Sequence, residues 1–129
     1  MSQTTDEEVK PKIVNLTPHA LTVQKTDGTL VLIPPSPPPA RIAIEPATGF
    51  EVFDGIAIHE PTTYGDVRNL PAPMPKTIYV VSQLMAMELQ GRGIHRSDVV
   101  FPGFTHQYNP VSDKSTGRIL AVTRLVRMV

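Results

Sequence analysis

The stretch TIYVVSQLMAMEL, residues 77–89, begins with the residue types of a buried strand and ends with those of a helix. Its first five residues are β-branched or aromatic, which favours a strand. Ser82 is a good N-cap for the segment that follows, and Met85 and Leu89 lie four residues apart on one helical face. Gly91 and Gly93 are placed to end this helix. The stretch therefore predicts a strand followed by the principal helix of the fold.

Two further strands are predicted after this helix. SDVVF at residues 97–101 is the first, and RILAVTRLVRM at 118–128 is predicted as one continuous strand. A strand, a helix and a strand with this spacing suit a right-handed crossover unit.

Short strand signals before residue 60 surround two dipeptides that favour tight hairpin turns. Asp27-Gly28 and Asp54-Gly55 both tolerate the positive φ angles that a type I′ turn requires. In the first hairpin we expect Leu21 and Val23 to face the core, opposite Leu30 and Leu32. The N-terminal half is therefore predicted to be mainly antiparallel.

Proline makes up 14 of the 129 residues, and ten of the prolines lie between Pro34 and Pro75. PPSPPP at residues 34–39 predicts a stiff polyproline II connector, with a ligand for an SH3-type groove as the alternative. ARIAIE at residues 40–45 predicts a strand. Residues 60–76 have no periodicity and predict a long ordered loop that serves as a lid, a binding loop or a partner contact.

These patterns predict an α+β fold with a largely antiparallel sheet, one principal helix and long ordered proline-rich loops. The acidic, weakly hydrophobic residues 1–11 are predicted to form a flexible tail. Residues 12–129 are predicted to form a single α+β domain, since a chain of this length is close to the usual size of one folding unit.

Charge and composition argue against several classes of function. Twelve basic and twelve acidic residues balance, so no overall field attracts nucleic acid or an anionic membrane. No apolar run approaches the ~20 residues that cross a bilayer. The absence of cysteine removes disulfides and thiolate sites, and we expect a cytoplasmic protein.

Catalytic signatures are missing from the sequence. It contains no nucleophile elbow, phosphate-binding glycine loop or metalloprotease motif, and its four histidines are far apart. We therefore predict no catalytic residue, metal or cofactor. An acid–base pair of His19 or His106 with Asp98 is the enzymatic alternative.

The join between strand and helix is the first candidate ligand site. The leading backbone N–H groups of a helix lack intrahelical partners and attract anions. Ser82 adds a hydroxyl and Gln83 an amide. The alternative is that Ser82 only caps the helix.

Three other groups extend this candidate site. NLTPH, residues 15–19, supplies Thr17 and His19 at a bend, unless Asn15 and Thr17 simply bond their own backbone. GRGIHRSD, residues 91–98, brings Arg92 and Arg96 beside Asp98. Arg41 and Arg124 are expected on central strands, where an arginine needs an acid or an anionic ligand.

Several of these motifs together resemble a family of small uncharacterised phage and bacterial proteins. The resemblance spans residues 13–122 and rests on NLTPH, on YVVS before a helix, on the R-x-D-V-x-x-P-G pattern of RSDVVFPG, and on GRILAV. The acidic tail, the expanded proline segment and the insertion at residues 105–116 depart from the family pattern. The family has no assigned activity to transfer.

A phage source implies two classes of function. The first is non-catalytic binding of an anionic, phosphorylated and possibly nucleotide-derived small molecule by a homo-oligomer, as in sponge-type counter-defence proteins. The predicted ligand-binding residues are Thr17, His19, Arg41, Ser82, Gln83, Arg92, Arg96 and Asp98. The alternative is a structural virion component, such as a capsid decoration or tail-associated protein, which places the chain in the virion.

Overall fold

The computed structural model describes residues 10–45, 48–61 and 63–128. Twelve strands and one α-helix lie in these ranges. The strands of the first half are β1 (Lys12–Asn15), β2 (Leu21–Gln24), β3 (Leu30–Ile33), β4 (Arg41–Glu45), β5 (Phe50–Phe53), β6 (Ile56–His59) and β7 (Thr63–Arg68). They are followed by β8 (Thr77–Val80), α1 (Gln83–Gly91), β9 (Val99–Pro102), a 3₁₀ turn (His106–Tyr108), β10 (Val111–Ser112), β11 (Ile119–Ala121) and β12 (Leu125–Arg127).

A four-stranded sheet in the order β1-β8-β9-β12 forms the centre of the molecule. β8 pairs in parallel with both β1 and β9, and β12 runs antiparallel to β9. α1 connects the neighbouring parallel strands β8 and β9, as the predicted crossover requires. The other four strand pairs are antiparallel hairpins or ribbons, so the predicted α+β class with mostly antiparallel pairing is confirmed.

The main core cluster lies between α1 and this sheet, and a second, smaller cluster contains Leu21, Val80, Val100 and Val122. Met85 and Leu89 are both buried, as the helical spacing predicts, while Leu84 is exposed. Met85 and Leu89 pack with Tyr79, Val81 and other buried residues in one cluster. The buried face of α1 therefore fixes the helix against the strands that precede and follow it.

The first hairpin forms at Asp27-Gly28, but its register differs from the prediction. Gly28 has φ +89° and its N–H donates to Lys25 O, which closes a longer loop than a two-residue turn. Leu21 consequently pairs with Ile33, and Leu30 and Leu32 point to solvent. The prediction that these two leucines face the core is wrong, because a shift of one residue in the pairing register turns every side chain of a strand to the opposite face.

The predicted loop at residues 60–76 is wrong in its first half, which contains β7. β7 pairs with β4 from Arg41–Arg68 to Glu45–Thr63, and β5 pairs with β6. The prolines 61 and 71 that flank β7 obscured its strand pattern. Asp54 and Gly55 both have positive φ, so the second predicted hairpin turn is confirmed.

The predicted C-terminal strand is divided into two strands. β11 pairs with β10, whereas β12 belongs to the central sheet. The hydroxyl of Thr123, between them, is 3.0 Å from the carbonyl oxygen of Tyr108.

Most of the predicted tail at residues 1–11 lies outside the described residues. Its last two residues, Lys10 and Pro11, are described, and both are exposed.

Candidate functional site

The NLTPH segment is organised around the fully buried side chain of Asn15. Its Nδ2 donates to the carbonyls of His19 (2.8 Å) and Ile33 (3.1 Å), and its Oδ1 accepts from the Thr17 N–H at 3.0 Å. The Thr17 hydroxyl also lies 2.6 Å from Oδ1. Asn15 and Thr17 thus bond within their own bend, which was the alternative to a ligand-binding role for this segment. The His19 side chain is exposed.

The join between β8 and α1 is capped by Ser82. Its Oγ accepts from the N–H of Met85 at 3.2 Å, as predicted for an N-cap residue. The side chain of Gln83 is exposed. Among the described residues, the N–H groups of Gln83 and Leu84 donate to no backbone carbonyl, as is usual for the first turn of a helix.

The other end of α1 is closed by a Schellman motif at Gly93. The N–H of Ile94 donates to Leu89 O and that of Gly93 to Gln90 O, both at 3.0 Å. Gly93 has φ +76°, so this glycine rather than Gly91 provides the left-handed residue.

Arg92 fastens this helix end to β7. Its Nε pairs with Glu88 at 3.0 Å, and its Nη2 donates to the carbonyl of Gly65 at 2.6 Å. The guanidinium therefore bridges a helical carboxylate and a strand carbonyl of the same chain.

Arg96 has a similar bridging position beside the central sheet. Nε and Nη2 bind both carboxylate oxygens of Asp98, at 2.9 and 2.7 Å, and Nη2 also donates to Pro71 O at 2.9 Å. The guanidinium lies 5.9 Å from the centre of the Tyr79 ring. The hydrogen bond between the two side chains raises the pKa of Arg96 and lowers that of Asp98. Both carboxylate oxygens of Asp98 are bonded to Arg96. Asp98 therefore pairs with a guanidinium, and not with the imidazole of His19 or His106 that the enzymatic alternative requires.

An open cavity of about 310 Å³ lies between the start of α1, the NLTPH bend and the β4–β7 ribbon. Its walls are mainly apolar and include Pro18, Ile42, Ile44, Tyr64, Leu84 and Met85. Its polar groups come from Arg41, Ser82 and Glu88. Of the eight predicted ligand-binding residues, the cavity brings together Arg41 and Ser82.

The expectation that Arg41 and Arg124 lie at central positions is wrong, because both side chains are exposed. Arg41 belongs to a two-stranded ribbon, and Arg124 lies in the link between β11 and β12. Arg41 forms no ion pair with any residue that the structure describes.

The hairpin of residues 48–60, which we call the arm, is an exposed apolar surface that was not among the predicted sites. Every residue of the arm is exposed, including Phe53 at 70% and Ile56 at 64%. The signal is present in FEVF and IAIH, because a turn at Asp54-Gly55 places Phe50 and Val52 on one face of the hairpin and Ile56 and Ile58 on the other.

Within the described ranges, no three His, Asp or Glu residues cluster closely enough to hold a metal ion. No helix of the same ranges is long and apolar enough to cross a bilayer. No family model, curated protein or solved structure matches this chain.

Proposed function

We propose that this protein is a non-catalytic assembly protein that associates with copies of itself through the arm. The observation that carries the proposal is that both faces of an exposed hairpin are apolar. An exposed apolar surface of this kind usually marks a contact with another protein.

The pairing of β5 with β6 defines the two faces. Phe50 and Val52 share one face with His59 and Ala57, and the Phe50 and His59 rings stack at 5.1 Å. The opposite face, which we call the Phe53 face, carries Glu51, Phe53, Ile56 and Ile58. A hairpin that lay against its own domain would need only one apolar face.

An isolated two-stranded hairpin is at best marginally stable in water. Five large apolar side chains of the arm are 48–70% exposed. Covering the exposed part of each contributes on the order of 1 kcal/mol. A symmetric contact counts this gain twice, so it can offset a substantial part of the entropic cost of association.

The strands β4 and β7, which precede and follow the arm in the chain and which we call its base, are fixed to the domain. Ile42 and Val67 pack against the main core cluster, and Arg92 holds the carbonyl of Gly65. Both strands of this base, β4 and β7, are therefore held against the domain.

The proposal is tested by the mass of the full chain in solution. Light scattering across a concentration series should give a multiple of 14.1 kDa for the native chain. The double substitution Phe53→Ser/Ile56→Ser should give a monomer. The matched control is Leu30→Ser/Leu32→Ser, because both leucines are 61% exposed on a different hairpin, and it should keep the native mass. A monomeric native chain would refute the proposal.

The resemblance to phage proteins supports a virion as one setting for such assembly, as a capsid decoration or tail-associated protein. Stoichiometric recovery of the chain in purified particles would support this setting, and its complete absence from them would argue for assembly in the cytoplasm.

A second candidate function is the binding of an anionic small molecule in the cavity, and the meeting of Arg41 with Ser82 favours it. Apolar walls with a few convergent polar groups are typical of ligand pockets, and the volume is at the small end of their range. The ligand class is an apolar or planar body with one phosphate or carboxylate, which includes the nucleotide-derived molecules that the resemblance implies. Arg92 would then support the cavity from outside, because it bonds the lining residue Glu88 and the carbonyl of Gly65, next to the lining residue Tyr64.

A thermal-shift panel of nucleotides tests this candidate. A stabilising ligand should lose its effect on Arg41→Ala and keep it on Arg118→Ala, an exposed arginine outside the cavity. A panel without any shift would count against it.

A further inference from the structure

We infer that the Phe53 face of one copy's arm docks into the cavity of a second copy, so that two copies exchange arms. This inference rests on the proposed self-association and names the surface that receives the arm.

The two surfaces have complementary apolar composition. The Phe53 face offers Phe53, Ile56 and Ile58, each at least 48% exposed. The cavity offers Ile44 and Leu84, 60% and 58% exposed, above the buried Met85. Joining the surfaces removes the exposed apolar area from both at once.

Their charges are also complementary. The arm carries Glu51, Asp54 and Glu60 and no lysine or arginine. At the cavity, Glu88 is neutralised by Arg92, whereas Arg41 has no ion pair with a described residue. The Phe53 face therefore carries the carboxylate of Glu51 and, two residues beyond Ile58, that of Glu60, whereas the cavity offers the cation of Arg41.

The positions of the surfaces favour a second copy as the occupant. Ile42, Ile44 and Tyr64 of the cavity wall belong to β4 and β7, the base from which the arm extends. A chain that carries both a projecting element and its receiving surface can close a two-fold dimer in which each contact occurs twice.

Cysteine trapping tests this docking, and the native chain contains no cysteine to interfere. Two singly substituted chains, Phe53→Cys and Leu84→Cys, are mixed under mild oxidation and analysed by mass spectrometry. The expected product is a disulfide between Cys at 53 of one chain and Cys at 84 of the other. The control partner is Leu32→Cys, 61% exposed on β3, which should not be trapped.

A charge exchange provides the second test, with circular dichroism to verify folding of each variant. Arg41→Glu and Glu51→Arg should each weaken association by about tenfold in Kd, and their combination should restore it. One combination of results would overturn this inference and leave the proposed function standing. In that case the Phe53→Ser/Ile56→Ser chain would lose association, Arg41→Glu would have no effect, and trapping would occur only between two Cys at 53. A native chain that is monomeric would refute the proposed function itself.

Discussion

Arg92 Nη2 lies 2.6 Å from the carbonyl oxygen of Gly65, so the end of α1 is tied to the base of the arm. The same guanidinium pairs with Glu88 one helical turn earlier. Two residues that are far apart in the sequence are joined here, and the joint holds β7 against the end of α1.

We expect Arg92→Met to lower the free energy of unfolding by about 1 kcal/mol, since a charged hydrogen bond to a partly exposed carbonyl is lost. Glu88→Gln is the matched control. It removes only the exposed ion pair, which is worth about 0.3–0.5 kcal/mol. Urea titration measures both, and equal losses would show that the Gly65 contact contributes nothing.

The pair of Arg96 and Asp98 predicts a specific dependence on pH. Arg96 holds the pKa of Asp98 below 3.8, so the contribution of this carboxylate to stability is present above pH 3.8 and is lost as the pH falls through the lower folded value. The native chain should therefore lose more unfolding free energy than Asp98→Asn between about pH 6 and pH 2. Urea titrations at the two pH values measure the difference. Identical acid losses would contradict this account, because the other carboxyls titrate in both chains.

Asn15→Leu should destabilise the fold by roughly 3 kcal/mol, because it removes the partners of the His19 and Ile33 carbonyls and of the Thr17 N–H. Thr17→Val should cost only about 1 kcal/mol, since the Asn15 side chain keeps its other bonds. Denaturant midpoints distinguish the two. A stable Asn15→Leu chain would mean that NLTPH is not the structural bend described above.

Gly103→Ala should be destabilising by roughly 2 kcal/mol, because an added Cβ would lie 2.5 Å from the Cβ of Tyr108. Gly91→Ala is the control, since nothing lies within 4 Å of its added Cβ and its φ is not positive. That change should be neutral or stabilising by up to about 1 kcal/mol. Thermal unfolding of the two chains tests the contrast, and similar melting temperatures would contradict it.

The parts of the fold that depend on local sequence were predictable. The helix at Gln83–Gly91, its Ser82 cap and the Asp54-Gly55 turn follow from residue preferences and spacing. The parts that depend on distant pairing were not. β7 becomes a strand because β4 lies beside it. The long turn at Asp27-Gly28 sets a register between β2 and β3 that differs from the one a two-residue turn would give.

The same distinction explains the candidate site. Arginine and hydroxyl types near a helix predict an affinity for anions, but Arg92 and Arg96 pair with acidic neighbours in the sequence and also bond carbonyls more than 20 residues away. Only the folded chain shows the bonds to these distant carbonyls. The arm could have been recognised from FEVF and IAIH, whose apolar residues occupy both faces of the predicted hairpin.

Hydrogen exchange of the arm amides tests the central claim most directly, because it reports whether the hairpin is covered when copies meet. Protection of the amides in β5 and β6 should rise with protein concentration, while that of the buried strand β8 should stay constant. Arm amides that exchange equally fast at every concentration would contradict association through the arm.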